Sequence, residues 1–274
     1  MQSAVTDRDQ LSKILSHHKL PRLEEDKHRE CIQRCHSYLS VFKEDQHRTR
    51  MDLRTLQSLP TYAQWSSTPC SSLLLLTGKN EQTFIEQAGG KCWLSPAAIE
   101  LIQNHLAQGH PVTYELCLHT AYQQQKDDPT AREIMASFCI QLLGTFPRIL
   151  RNSHAFQQLE QIRIDPERKG YEIDDLTELL LTILNLIQQS EPVYIVLDRM
   201  DRCRSKGAKL RVLKALLRVA RETRCWVKIM VVVCAHFWNV DEYLEDLDVE
   251  KMEKDVFNLM ELNQQFEIPQ IAWG

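Results

Sequence analysis

The chain has no apolar run long enough to span a membrane, which makes a helical membrane protein an unpromising reading. Its first ten residues, MQSAVTDRDQ, lack the apolar core of a signal peptide. No internal repeat of roughly 20–50 residues is visible, which argues against propellers and solenoids. The nine cysteines are an odd number without a disulfide-like framework, so a reducing compartment is expected, the cytoplasm in preference to the nucleus. Several lie inside apolar runs, where Cys acts as a small hydrophobe. An excess of basic charge is also missing. The formal net charge is −4, and nothing global points to nucleic acid.

What is present suits a globular protein. Hydrophobic residues make up 43% of 274 and charged residues 26%, enough to bury a core. Residues 1–58 are polar and poor in glycine, with LSKILSHH and HRECIQRCHSYLSVF placing apolar groups at helical spacing. Leu59-Pro60 and Thr68-Pro69 bracket a connector around Trp65. Leu73–Leu76, Val112–Leu118, Val193–Asp198 and Val227–Cys234 read as buried strands. Helices are expected over Ala131–Leu143, Asp174–Gln188 and Lys209–Arg224, with 144–170 irregular. Ser95-Pro96 opens a further helix, Ser as its cap and Pro in its first turn. Pro96 cannot bond back to Cys92, so the helix is expected from about Ala97 to Ala107, with Gly89–Leu94 outside it.

Strands alternating with helices predict an α/β fold with a doubly wound, mostly parallel sheet, preceded by an N-terminal helical segment. The expected organisation is a helical segment over 1–58, an α/β domain over 59–245 and an acidic tail over 246–274. In such a sheet ligands bind beyond the carboxyl ends of the strands, where Asp198 sits.

Six segments in order resemble the fungal STAND NTPases, the NACHT-like group that includes nephrocystin-type P-loop domains. SSLLLLTGK resembles the strand entering the P-loop, and AGGKCWLSPAAIELIQNHL the P-loop lysine with its helix. HPVTYELC and AREIMASFCIQLL resemble the next strand and helix. YIVLDRMDRC resembles the Walker B segment, and VKIMVVVCAHF the strand that ends in a sensor Arg. The resemblance covers roughly residues 60–240 and implies a P-loop NTPase fold. It assigns vestigial nucleotide binding to Gly78, Gly89, Gly90, Lys91 and Cys92, and a vestigial Mg²⁺ site to Asp198 and Asp201.

The departures from that pattern are chemical. A P-loop needs G-x-x-x-x-G-K-[ST], yet eleven residues separate Gly78 from Gly90. Cys92 stands where a hydroxyl should hold Mg²⁺, and sulfur is a poor ligand for that ion. Arg202 replaces an acidic residue, and Cys234-Ala235-His236 replaces the sensor Arg. The expectation is a pseudo-NTPase acting as a regulatory or protein-interaction module, with no cofactor. Its partners would be proteins: related full-length STAND proteins or a second copy. The rival reading is an ATP- and Mg²⁺-using ATPase with a divergent loop, drawing a hydroxyl from Ser95 or Thr83.

Plainer roles compete at each position: a solvated Lys91, a turn-bracing Asp198, a packed Cys92, a surface His236. His28, Cys31, Cys35 and His36 crowd one helix without a second pair at finger spacing, so packing is preferred to zinc. The basic stretch from Arg199 to Arg224 places Arg211, Lys214, Arg218 and Arg221 on one helix face. That face is a solvated surface, an anion or nucleic-acid site, or a dock for the acidic segment Asp241–Glu261. Nucleic acid is the least favoured of the three.

Overall fold

The computed structural model describes residues 2–21, 30, 32–33, 51–79, 92–117, 128–162, 172–188, 190–204, 206–235, 238–243, 247 and 256–263. Five parallel strands form one sheet in the order β2-β3-β4-β1-β5. They are β1 Ser72–Lys79, β2 Val112–Leu116, β3 Val193–Asp198, β4 Val227–Cys234 and β5 Phe257–Asn263. The all-parallel, doubly wound α/β fold therefore stands as expected.

Both faces of the sheet are covered, which is why β1 and β4 read as continuous apolar runs. Alternate residues face opposite layers. Leu73 and Leu75 pack into one core with α1 (Gln2–His17), α5 (Ala131–Thr145), α6 (Pro147–Arg151), α7 (Ser153–Gln161), α8 (Glu172–Leu186) and α9 (Lys206–Glu222). Leu74 and Leu76 pack into a second core with α2 (Leu53–Gln57), α3 (Pro60–Ser67) and α4 (Ser95–Gln108). The helix α5 is started by a capping box: the Thr130 hydroxyl accepts from the Glu133 N–H, and the Glu133 carboxylate accepts from the Thr130 N–H.

Three segments differ from the sequence reading. The connector around Trp65 is the helix α3, with Pro60 in its first turn and Trp65 buried, its indole N–H donating to the Ser72 carbonyl at 3.3 Å. Within 144–170, read as irregular, lie α6 and α7; Asn152 caps the latter by accepting from the N–H groups of His154 and Ala155. Helices of five and nine residues are too short to declare an apolar period. Finally, Phe257–Asn263, in the stretch read as an acidic tail, is β5, paired with β1 from Leu73↔Phe257 to Lys79↔Asn263.

Candidate functional site

The carboxyl ends of β1, β3 and β4 converge at Gly78, Asp198 and Cys234. Gly78 pairs with Cys234, and the Ala235 N–H donates to the Gly78 carbonyl at 3.0 Å. Asp198, the last residue of β3, is fully buried. Its Oδ1 accepts from the Ser95 hydroxyl at 3.1 Å, while Oδ2 has no partner among the described residues. Burial pushes its pKa up to about 7; the Ser95 hydrogen bond and the Arg199 charge oppose the rise and the Asp201 charge adds to it.

Arg199 follows in the left-handed region, φ 59° and ψ 47°. A non-glycine residue there is strained, by about 1–3 kcal/mol. The turn folds the side chain back into the protein, where it is 0% exposed. Its guanidinium grips Asp201, Nε to Oδ1 at 3.0 Å and Nη2 to Oδ2 at 2.8 Å. Asp201 Oδ1 also accepts the Cys234 N–H at 3.0 Å, tying the turn after β3 to the end of β4. Burial works against the charge of Arg199, but Asp201 outweighs it and holds the group well above its ordinary pKa.

The nucleotide-binding positions read from the sequence are distributed as follows. Gly89, Gly90 and Lys91 lie outside the described residues, as do Thr83 and His236. Gly78 is part of β1 and not of a loop; a Cβ there would meet Leu94 Cδ1 at 2.8 Å and Trp93 Nε1 at 3.0 Å. The absent side chain lets Trp93 and Leu94, both buried, close against the strand. Cys92 is buried, and burial raises its thiol to about 12, so no thiolate is on hand at neutral pH.

The helix α4 starts at Ser95, with Cys92–Leu94 outside it as Pro96 requires. The cap is corrected: Leu94 is the N-cap with no side-chain bond, and the Ser95 hydroxyl serves Asp198. Asp198 and Asp201, read as a metal pair, have different partners. A hard divalent cation needs several oxygen ligands. Asp201 is engaged by Arg199 and Cys234, the Ser95 hydroxyl is turned to Asp198, and Cys92 offers a buried thiol. The described donor set does not fit Mg²⁺.

The basic face is smaller than its sequence suggests. Arg211, Lys214 and Arg221 are exposed on α9, but Arg218 pairs with Glu178 at 2.5 Å and Glu222 at 2.9 Å. Arg199 is buried, Arg202 lies 3.8 Å from Asp128, and Arg204 lies 3.8 Å from Glu133. Glu178, Asp128 and Glu133 come from other parts of the chain, which a local count of charge cannot include. Among the tail's acids, Asp246, Asp248, Glu250 and Glu253 fall outside the described residues, as do His28, Cys31, Cys35 and His36. Among the described residues no three potential metal ligands cluster, and no helix is long and apolar enough to cross a membrane.

Sequence reasoning missed two members of the site. Nothing marks Arg199 as buried, since an Arg after a strand usually faces water. Trp93 carried a weak signal, a large aromatic beside Gly-Gly-Lys where a phosphate loop needs open backbone. Residues 52–233 match the family model described as Nephrocystin 3, N-terminal. No curated protein matches the chain.

Proposed function

Since the chain belongs to the Nephrocystin 3 N-terminal family, the match covering well over half its length, we propose that it is a non-hydrolysing, protein-interaction module built on a P-loop-type α/β frame. It derives from a STAND-type NTPase of the fungal, NACHT-like kind and works in the cytoplasm. Its partners are proteins: related full-length STAND proteins or a second copy of itself. It requires no cofactor.

The observation that carries this reading is the closure of the strand ends. Trp93 and Leu94 lie where Gly78 would otherwise face open space, and Asp198 sits wholly buried behind Ser95. Phosphoryl transfer needs Mg²⁺ on accessible carboxylates and a polar group positioning the nucleophile. Asp201 is bound to Arg199, and the next residue, Arg202, is cationic. A module that keeps the frame but packs the catalytic end with side chains retains its outer surfaces for binding.

The test is calorimetric titration with ATP and ADP, with and without Mg²⁺, beside a phosphate-release assay. Neither heat of binding nor turnover above buffer is expected. Turnover that disappears in Asp198→Ala would overturn the reading in favour of a working ATPase.

A further inference from the structure

Asp201 and Arg199 form an ion pair in which both side chains are 0% exposed. Isolated burial of either charge would be prohibitive, and each makes the other tolerable. The pair is also specifically built. The left-handed backbone at Arg199 is one of two positive-φ conformations at non-glycine residues among those described. It returns the guanidinium to a carboxylate two residues on. That carboxylate is then fixed to β4 through the Cys234 N–H at 3.0 Å. A cation held between β3 and β4, at the carboxyl end of a parallel sheet, stands where a metal would neutralise strand-end acids. The donor set there does not suit a metal, and the planar fork of a guanidinium suits a carboxylate better than a point charge does.

We infer that Arg199 is a built-in cation: its guanidinium takes the carboxylate a divalent ion would require and holds the strand-end cluster in one state that neither metal nor nucleotide sets. This deepens the non-hydrolysing reading and rests on it. The charge balance agrees. One guanidinium offsets one carboxylate, Asp201, and the second acid, Asp198, is met by the Ser95 hydroxyl at 3.1 Å. A divalent ion would hold both acids ionised. The consequence is an interaction surface presented constitutively, without the nucleotide-driven switching that a metal-dependent site permits.

The experiment uses the full chain. Bound Mn²⁺ is counted by the loss of its free spin-resonance signal, and melting is compared in EDTA and in about 5 mM Mg²⁺. The wild type is expected to bind no Mn²⁺ and to melt at the same temperature in both. Arg199→Gly suits the left-handed backbone and leaves two acids beside a vacated space. It is expected to take up about one Mn²⁺ per chain and to melt several degrees higher with Mg²⁺ than with EDTA. Should it not fold, the double variant Arg199→Gly, Asp201→Asn removes both charges and keeps an acceptor for Cys234. That variant should fold and ignore divalent ions. Mn²⁺ on the wild type, a folded Arg199→Gly with no response, or a double variant that cannot fold would each overturn the inference. Phosphate release from the same wild-type sample separates the two readings: bound Mn²⁺ without turnover defeats the built-in cation alone, and turnover defeats the non-hydrolysing module.

Discussion

Asp198 sets a pH dependence whose largest cause is burial. Its pKa is about 7 in the folded chain against an ordinary 3.8, so between these values the native state keeps a proton the unfolded chain releases. Stability from this group is therefore present below about pH 4 and declines as pH rises to about 7, by at most roughly 4 kcal/mol. Glu115, raised to about 7 by burial against its Ser137 hydrogen bond, acts in the same window. Comparison with Asp198→Asn isolates the first group. The variant's urea midpoint should fall less than the wild type's between pH 5 and 8, and parallel curves would refute the assignment. Lys228 is a further buried charge, 1% exposed, donating to the carbonyls of Trp65 and Thr68 at 2.5 and 2.7 Å and to the Ser72 hydroxyl at 2.9 Å. Replacing it with Met removes the donor from those acceptors and should lower stability by about 1–3 kcal/mol, read from the same denaturation curves. Gly78→Ala forces a Cβ against Leu94 and Trp93 at 2.8 and 3.0 Å. A loss of about 1–3 kcal/mol is expected, and an unchanged midpoint would mean that Trp93 and Leu94 do not close the strand end.

At the scale of elements, the sheet protects one edge in an unusual way. β2 is an edge strand, and the Gln141 amide on α5 bonds its backbone twice: Oε1 accepts from the Tyr114 N–H at 3.0 Å and Nε2 donates to the Tyr114 carbonyl at 2.7 Å. A side chain thus imitates the next strand and blocks its place. Gln141→Leu should cost about 1–2 kcal/mol and raise self-association, followed by light scattering across a concentration series. A variant that remains as monodisperse as the wild type would show the edge to be guarded by something else. The start of α4 obeys a local rule, since Pro96 forbids helix through Cys92, and its end obeys another, since Gly109 adopts φ 75° at the C-cap. The cap itself was not local. Ser95 had a better partner in Asp198, 103 residues away, than in the first turn of its own helix.

For the whole molecule, β5 decides what truncation does. It lies against β1 with Asn258, Met260 and Leu262 buried, so removing residues 256–274 strips β1 of one of its two neighbours and turns it into an edge strand. The shortened chain should lose cooperative melting and aggregate; a sharp transition near the wild-type temperature would show β5 to be dispensable. The contribution of the basic face is therefore better tested by charge than by deletion. Changing Arg211, Lys214 and Arg221 to Gln should weaken heparin retention while leaving the melting temperature within a few degrees, because exposed pairs contribute only about 0.2–1 kcal/mol each. Retention unaffected by the triple change would remove this face as an anion-binding surface.

The sequence determined what depends on neighbours along the chain. Val193–Asp198 and Val227–Cys234 were legible as strands to the residue, because a buried parallel strand must be apolar on both faces. The alternation of these runs with helical periods gave the parallel sheet, and Ser95-Pro96 gave the start of α4. β5 was not legible, since FNLMELN mixes polar and apolar residues as an edge strand does, and its acidic surroundings resemble a solvated tail. The site was legible only as positions. Asp198 and Asp201 could be found by spacing, but which of them is ionised, which is bonded, and to what, depends on partners brought in by folding. Arg199, Ser95 and the Cys234 N–H come from three elements, and burial strengthens each of their charges and hydrogen bonds in a way no local pattern encodes. Tertiary structure alone could convert an arginine that looks solvent-facing into the cation of a buried cluster, because the electrostatic cost of a buried charge is set by the groups that surround it in space.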